Sequence, residues 1–139
     1  MLIGRAVHNL DTKGRIVIPA RYRDDFGASI FALYGVKGCI RLYNREEFEK
    51  LTEKVMSGDI NRDAFRRKVF GSVELVSFDA QGRILLTEDL RKKAGITDKV
   101  CMVGMYNWLE LWNEDRLAEI EKELTTEEEL KCMEALGLA

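Results

Sequence analysis

Two short segments of this chain carry the same charged pair, an aspartate followed four residues later by an arginine. Asp11 and Arg15 stand in LDTKGRIVIP, residues 10–19, and Asp79 and Arg83 stand in FDAQGRILLT, residues 78–87. Aspartate oxygens accept N–H bonds within tight turns. A guanidinium presents planar donors that suit phosphate oxygens and the edge of guanine. The pair therefore suits either anion recognition or a modest surface ion pair.

Other chemistries have little support in the sequence. Two repeated aspartates could form a carboxylate dyad that shares one proton, but the dyad of aspartic proteases lies in an Asp-Thr/Ser-Gly triplet, and here the third residue is Lys13 or Gln81. The serines lack a nucleophile elbow, His8 is the single histidine, and no phosphate-binding glycine loop is present. We predict no catalytic residue, no enzymatic activity, no cofactor and no small-molecule ligand.

The cysteines do not indicate a metal site or a disulfide framework. They are odd in number, far apart, and accompanied by one histidine. We predict no metal ligand and expect all three to be buried or partly buried thiols: Cys39, Cys101 and Cys132.

The two Asp–Arg segments belong to a longer internal duplication. At an offset of 68, six of the 18 residues from position 10 onward are identical. The likeness resumes at an offset of 69, which pairs Gly35 with Gly104 and Asn44 with Asn113 and implies one inserted residue. Each copy alone is near the size at which a chain can only marginally form a stable hydrophobic core of its own. We therefore expect a pseudo-two-fold α+β fold in which the two copies share one core or exchange elements.

Each copy has the predicted order β-β-α-β-β. Asp at the first and Gly at the fourth turn position favour a hairpin with a type I turn and a left-handed glycine, at Gly14 and Gly82. A short helix then begins at Pro19 or Thr87, ends at a glycine, and leaves its basic side chains largely outward. These outward basic side chains are Arg21, Arg23, Arg91 and Lys92.

Two more strands lead into a longer helix, capped by Asn44 in one copy and Asn113 in the other. A linking helix is predicted to restart at Asp59 and Asn61, and a terminal helix at Thr126. We divide the chain into a first repeat with its trailing helix (1–58), a linking helix (59–70), and a second repeat with C-terminal helices (71–139).

The net charge of −2 conceals an uneven distribution. Residues 110–139 carry three basic and ten acidic residues, a charge of −7, whereas the first 109 residues carry +5. The composition is that of a soluble globular protein without a signal peptide or an apolar span, so we expect a cytoplasmic protein that is not membrane-bound. Trp108, Leu111 and Trp112 are expected to expose apolar surface and to favour a homo-oligomer.

The pattern LDTKGRIVIPARYRDDFG, followed by FDAQGRILLTEDLRKKAGI and VGMYNWLELWN, closely resembles the MraZ family over nearly the whole chain. Each half resembles the DNA-binding domain of AbrB-type regulators. The resemblance implies a swapped-hairpin β-barrel with flanking helices, a ring-shaped homo-oligomer, and a nucleoid-associated transcriptional regulator. Its implied DNA target is a set of direct repeats, or operator boxes, upstream of the division and cell-wall gene cluster.

Carried over to this sequence, the DNA-contacting loops of the family fall on residues 11–15 and 79–83, and helix arginines of AbrB-type relatives match Arg23 and Arg91. Asp24 stands where those relatives often have a second arginine, and Thr87 replaces the usual proline. The candidate DNA-binding residues are Lys13, Arg15, Arg83, Arg21, Arg23 and Arg91. The candidate turn-forming residues are Asp11, Gly14, Asp79 and Gly82.

Three classes of function were compared with this pattern. The first, which the residues favour, is a sequence-specific regulator that binds double-stranded DNA. The second is an antitoxin-like protein-interaction module whose helical tail binds another polypeptide. The third and least supported is an enzyme on a related barrel.

Overall fold

The computed structural model describes residues 1–57 and 63–139, which form a mixed α+β fold. The strands of these residues are β1 (Arg5–Asn9), β2 (Arg15–Val17), β3 (Ile30–Val36), β4 (Cys39–Tyr43), β5 (Glu74–Val76), β6 (Arg83–Leu85), β7 (Lys99–Gly104) and β8 (Leu109–Trp112). The helices are α1 (Ala20–Arg23), α2 (Arg45–Met56), α3 (Asp63–Ser72), α4 (Glu88–Ala94), α5 (Glu114–Glu121) and α6 (Thr126–Ala135). The repeat order β-β-α-β-β therefore occurs twice.

The two repeats exchange strands. β1 pairs with β7, and its counterpart β5 pairs with β3, so the first strand of each repeat lies in the other repeat. β2 pairs with β6 in a separate two-stranded sheet. The prediction of a hairpin within each repeat is therefore wrong in its pairing, although the tight turn is present. Exchange lets both repeats bury their apolar side chains in one core of adequate size.

All strand pairs are antiparallel, and the order of the larger sheet is β1-β7-β8-β4-β3-β5. Two pairings lie on the pseudo-two-fold axis, because Ile16 faces Ile84 in β2–β6 and Arg41 faces Glu110 in β4–β8. The shared core lies between the two sheets and includes the fully buried residues Ile16, Ile18, Tyr22, Ile40, Leu42, Leu86, Met102 and Leu111.

The strand registers correct the predicted alignment of the repeats. Phe31 faces Tyr43 in β3–β4, and Cys101 faces Trp112 in β7–β8. The offset between repeats is therefore 70 in β3 and β7 and 69 in β4 and β8. A bulge at Gly35, which adopts a φ of 117°, takes up the difference. The predicted match of Gly35 with Gly104 is wrong, since the residue in register with Gly104 is Tyr34.

Side-chain caps start most helices where the sequence predicts. Asn44 accepts from the N–H of Glu47 at 2.8 Å, and Asn113 accepts from that of Arg116 at 3.0 Å. Thr87 caps α4, and α6 begins at Thr126 as predicted, with Thr125 as its cap. The predicted restart of the linking helix at Asp59 and Asn61 lies outside the described residues.

The glycine stop is correct for only one of the short helices. Gly95 ends α4 in the left-handed conformation, with a φ of 67°. In contrast, α1 ends at Arg23, four residues before Gly27, and the chain reaches this glycine through turns in which Asp25 N donates to Tyr22 O and Phe26 N donates to Arg23 O.

Two predictions about exposure are wrong. Leu111 and Trp112 are buried inside the chain and Trp108 is half-buried, so they do not supply free apolar surface. Cys39 and Cys101 are buried as expected, whereas Cys132 is exposed on α6. Burial, together with the nearby Glu110 carboxylate, raises the pKa of Cys39 to about 12. Within residues 1–57 and 63–139, no helix has the length and apolar character to cross a membrane.

Candidate nucleic-acid interface

The β2–β6 ladder brings the two Asp–Arg segments to one edge of the molecule. Arg15 faces Leu85 and Val17 faces Arg83, so these four side chains share the outer face of a two-stranded ribbon. The alternate residues, Ile16 and Ile84, point into the core and are buried. We call the outer face, Arg15, Val17, Arg83 and Leu85, the ribbon face.

The sequence analysis did not identify the two aliphatic residues of the ribbon face, Val17 and Leu85. Val17 is 38% exposed and Leu85 is 50% exposed. The patterns Arg-Ile-Val and Arg-Ile-Leu predict that the aliphatic residue lies on the same side as the arginine, since residues two apart in a strand lie on the same side.

Each aspartate organises its turn through both carboxylate oxygens. Asp11 Oδ1 accepts from the backbone N–H groups of Lys13 and Arg15, each at 2.9 Å, and Oδ2 accepts from Arg15 Nε at 2.7 Å. Asp79 makes the same three bonds with Gln81 and Arg83, at 2.9, 2.9 and 2.7 Å. The carboxylate therefore shapes the turn and fixes the plane of the guanidinium.

These bonds favour the ionised aspartates. The backbone N–H of Arg15 is the largest influence on Asp11, and together with the Arg15 guanidinium and the Lys13 N–H it lowers the pKa of Asp11 to about 2. The pKa of Asp79 is lowered for the same reasons, with the backbone N–H of Arg83 first. Because the folded pKa of Asp11 lies below its usual value, its stabilisation of the turn is complete near neutral pH and is lost only as the pH falls toward 2.

The turn glycines allow helix arginines of the opposite repeat to approach. Gly14 and Gly82 have φ values of 81° and 76°. A β-carbon at Gly82 would overlap the guanidinium of Arg23, and one at Gly14 would lie 3.0 Å from Arg91 Nε. Each turn is thus covered by an arginine from the other repeat.

The helix arginines are less outward than predicted. Arg23 and Arg91 are half-buried, and Arg91 Nε donates to the carbonyl of Leu86 at 3.0 Å. Arg21 is exposed, but its Nη2 donates to the carbonyl of Arg5 at 2.8 Å, on the side of β1. Lys92 is exposed, as predicted, and pairs with Glu88.

The two turns are linked by one further ion pair. Arg83 Nη1 lies 3.6 Å from Asp11 Oδ2, so Arg83 contacts the aspartates of both repeats. The Arg15 side chain is 33% exposed and that of Arg83 is 23% exposed. Lys13 is exposed at the tip of the first turn, and the neutral Gln81 occupies the same position in the second. The two copies are therefore alike in backbone and different in charge.

Asp11→Asn tests how the turn holds the arginine. The sequence reading alone suggests that asparagine serves nearly as well, since it keeps an acceptor. The structure changes that expectation, because the amide nitrogen would place a donor against the Arg15 Nε–H donor. In anisotropy titrations with DNA, we expect an affinity between those of the parent and Asp11→Ala. Asp115→Asn, an exposed change of equal charge on α5, should leave affinity unchanged. Equal losses in the Asn and Ala variants would mean that the backbone-accepting oxygen contributes nothing.

The fold and this edge define a duplicated α+β protein whose repeats exchange strands and present paired Asp–Arg turns on one ribbon. The chain belongs to the MraZ family, described as "MraZ protein, putative antitoxin-like", whose model matches residues 1–70 and again 69–135. The resemblance and the internal repeat are thereby confirmed.

Several relatives described as "Transcriptional regulator MraZ" are similar to this chain. The protein of Thermomicrobium roseum is 40% identical over 85% of each chain. That of Halothermothrix orenii is 36% identical over 99% of this chain and 100% of its own length, and that of Lactobacillus gasseri is 35% identical over 88% of each. Family membership thus places the chain among proteins named as transcriptional regulators.

Proposed function

We propose that the protein is a non-enzymatic transcriptional regulator that binds specific double-stranded DNA through the ribbon face. One observation carries the proposal: the β2–β6 ladder places Arg15 and Arg83 side by side with Val17 and Leu85 on a single outer surface. Neither repeat could form this surface alone, because each contributes one strand of the ribbon.

The dimensions and chemistry of the ribbon suit the major groove of DNA. That groove admits a two-stranded β-ribbon. An arginine can donate two hydrogen bonds to a guanine, and an aliphatic side chain can contact the methyl group of thymine. In this interaction Arg15 and Arg83 read base edges, Val17 and Leu85 contact thymine, and Lys13 neutralises phosphate.

The turns reach the DNA already ordered. Asp11 and Asp79 hold the backbone and the guanidinium planes in the free protein, while Arg23 and Arg91 cover the turn glycines from behind. Binding then requires little further ordering of side chains, which preserves affinity. In this role the aspartates, the glycines and the helix arginines position the reading residues. Arg21, which lies on the side of β1, contacts a DNA phosphate in this proposal.

The assembly we propose follows the family resemblance. The repeats, at 1–58 and 71–139 with a linking segment at 59–70, form a closed swapped-hairpin barrel, and several copies form a ring. The bonds from Ile18 N to Gly82 O and from Leu86 N to Gly14 O, at 3.1 and 2.9 Å, support the exchange of hairpins. A ring on the cytoplasmic nucleoid would bind repeated operator boxes upstream of the division and cell-wall gene cluster. Simultaneous binding of several copies to several boxes would raise the affinity above that of one copy for one box.

Titration of labelled upstream DNA at several salt concentrations tests the proposal. We expect tighter binding to upstream DNA than to shuffled DNA of equal length, and a linear fall of log affinity with log salt. The rival function, an antitoxin-like interaction module, is favoured by α6, every residue of which is exposed. That function predicts no salt-dependent DNA binding, and such a result would exclude the DNA proposal.

Lys13→Ala should reduce the salt dependence of DNA binding. Each lost phosphate contact lowers the slope of log affinity against log salt by about one, because one fewer counterion is released. Gln81→Ala is the matched control, since Gln81 occupies the same turn position without charge. Equal slopes for the parent and Lys13→Ala would show that this lysine does not contact phosphate.

A further inference from the structure

Strand exchange places a helix of one repeat beside the turn of the other. We call residues 11–15 turn 1 and residues 79–83 turn 2. Because Arg15 faces Leu85 in the ribbon, β6 ends beside turn 1 and leads from there into α4. Turn 2 lies in the same way beside the end of β2, which leads into α1. The ribbon therefore has a turn-1 end, which includes α4, and a turn-2 end, which includes α1.

Contacts between the repeats hold α4 at the turn-1 end. The N–H of Leu86, two residues before α4, donates to the carbonyl of Gly14 at 2.9 Å. Arg91 of α4 donates to the carbonyl of Leu86 at 3.0 Å, and its Nε would lie 3.0 Å from a β-carbon at Gly14. At the turn-2 end, the guanidinium of Arg23 lies against Gly82. The two ends are thus built alike and can be compared residue by residue at the offset of 68.

The exchange makes the two ends unequal in charge. Turn 1 carries two basic residues and one acidic residue, whereas turn 2 carries one of each. The α4 segment, residues 88–94, carries three basic and two acidic residues, whereas its counterpart, residues 20–26, carries two of each. The turn-1 end therefore has a net charge of +2, and the turn-2 end is neutral. If each turn lay beside the helix of its own repeat, both ends would instead carry +1.

Lys92 contributes most to this difference. Its counterpart in the first repeat is Asp24, and both side chains are exposed. Lys92 lines a surface cleft of about 590 Å³ together with Arg91, the residue that lies against turn 1. The other residues lining this cleft are Glu88, Gly95, Ile96 and Thr97. Lys92 Nζ lies 2.9 Å from Glu88 Oε1, and an exposed ion pair of this kind adds little stability, so a phosphate can replace the carboxylate.

We propose that the turn-1 end makes more contacts with DNA phosphates than the turn-2 end, and that Lys92 of the second repeat makes one of them beside Lys13 of the first. The inference rests on the proposed DNA function and adds to it a phosphate contact from the opposite repeat. Each neutralised phosphate releases counterions, so two lysines at one end strengthen binding at that end. A strictly two-fold ribbon could lie on DNA in either of two directions, whereas unequal ends favour one.

Lys93 provides a control on the same helix. It carries the same charge as Lys92 and is exposed, but it does not line the cleft. Lys93 Nζ lies 2.9 Å from Asp89 Oδ2. Asp89 raises the pKa of Lys93, and the more distant Glu74 of β5 and Tyr34 of β3 add to this effect. Lys93 is therefore close to the larger sheet, and its loss removes a charge from α4 without removing one from the cleft.

Single substitutions in the full-length protein test the assignment. Anisotropy titrations with labelled upstream DNA and with shuffled DNA are repeated at several salt concentrations. Lys92→Ala should lower the slope of log affinity against log salt by about one. It should weaken binding to both DNAs alike, since a phosphate contact carries no sequence information. Lys93→Ala should keep the parental slope. Both side chains are exposed, so the fold should be retained, which circular dichroism would verify.

Exchanging the charges of the two ends gives the sharpest result. Asp24→Lys/Lys92→Asp keeps the net charge of −2 but separates the exchanged lysine from Lys13, so the slope should again fall by about one. If this variant does not fold, the two alanine variants decide alone.

Three results would overturn the assignment while leaving DNA binding itself intact. They are a parental slope in Lys92→Ala, a parental or steeper slope in the folded charge-exchange variant, and an equal loss of slope in Lys93→Ala. A parent that shows no salt-dependent binding would instead overturn the DNA function and this inference together.

Discussion

Arg15→Ala is expected to abolish the preference of the protein for upstream DNA over shuffled DNA, while Arg83→Ala has a smaller effect. A bidentate contact with a guanine contributes about 1–3 kcal/mol of discrimination, which is roughly 5-fold to 150-fold in affinity ratio for each box. Arg15 is the more exposed of the two and contacts one aspartate, whereas Arg83 also pairs with Asp11 and holds the turns together.

Competition between labelled upstream DNA and unlabelled shuffled DNA measures this preference directly. Arg45→Ala is the matched control, since it removes an exposed arginine at the start of α2, away from the ribbon. It should leave the ratio unchanged. A series in which Arg83→Ala removes the preference and Arg15→Ala retains it would assign base reading to the second repeat.

Local features of the fold could be read from the sequence because their causes are local. Asn44, Asn113 and Thr87 cap helices through bonds to residues three positions later, and the aspartates of the two turns bond to residues two and four positions later. Such contacts depend on spacing alone. The duplication was equally visible, since identity at a fixed offset needs no knowledge of the fold.

The exchange of strands between the repeats could not be predicted from the sequence in this way. An alternating pattern predicts which side of a strand is buried, but it does not specify the partner strand. β1 and β5 therefore looked like halves of local hairpins, although each pairs with the opposite repeat. The roles of Arg23 and Arg91 depend on this exchange, because each covers a glycine turn that is distant in sequence.

Glu110 shows how context overrides a local pattern. In the segment Trp-Leu-Glu-Leu-Trp, alternation places Glu110 on the side opposite Leu109 and Leu111, which suggests a solvent-exposed carboxylate. The structure buries it, at 7% exposure, because the tryptophans on either side, Trp108 and Trp112, share its face. Both indole N–H groups donate to its carboxylate, at 3.0 and 2.9 Å.

Glu110→Ala is expected to destabilise the protein by about 3 kcal/mol, because it leaves two indole donors without their acceptor and a largely buried guanidinium without its counter-ion. Arg41 Nε lies 3.5 Å from the Glu110 carboxylate, and the guanidinium stacks 4.2 Å from the centre of the Trp108 ring. Thermal unfolding should show a midpoint lowered by roughly 10 °C. Glu110→Gln keeps one acceptor oxygen and should lose less.

The double variant Arg41→Leu/Glu110→Leu separates the cost of an orphaned charge from the value of the pair itself. Arg41 and Glu110 face each other at the centre of β4–β8, and replacing a buried pair with apolar residues is often close to neutral. The indole N–H groups still lose their acceptor, so we expect the double variant to be less stable than the parent but more stable than Glu110→Ala. If the double variant were the least stable of the set, the ion pair itself would be a net source of stability, and burial of Glu110 would have to be explained by that attraction rather than by the two tryptophans.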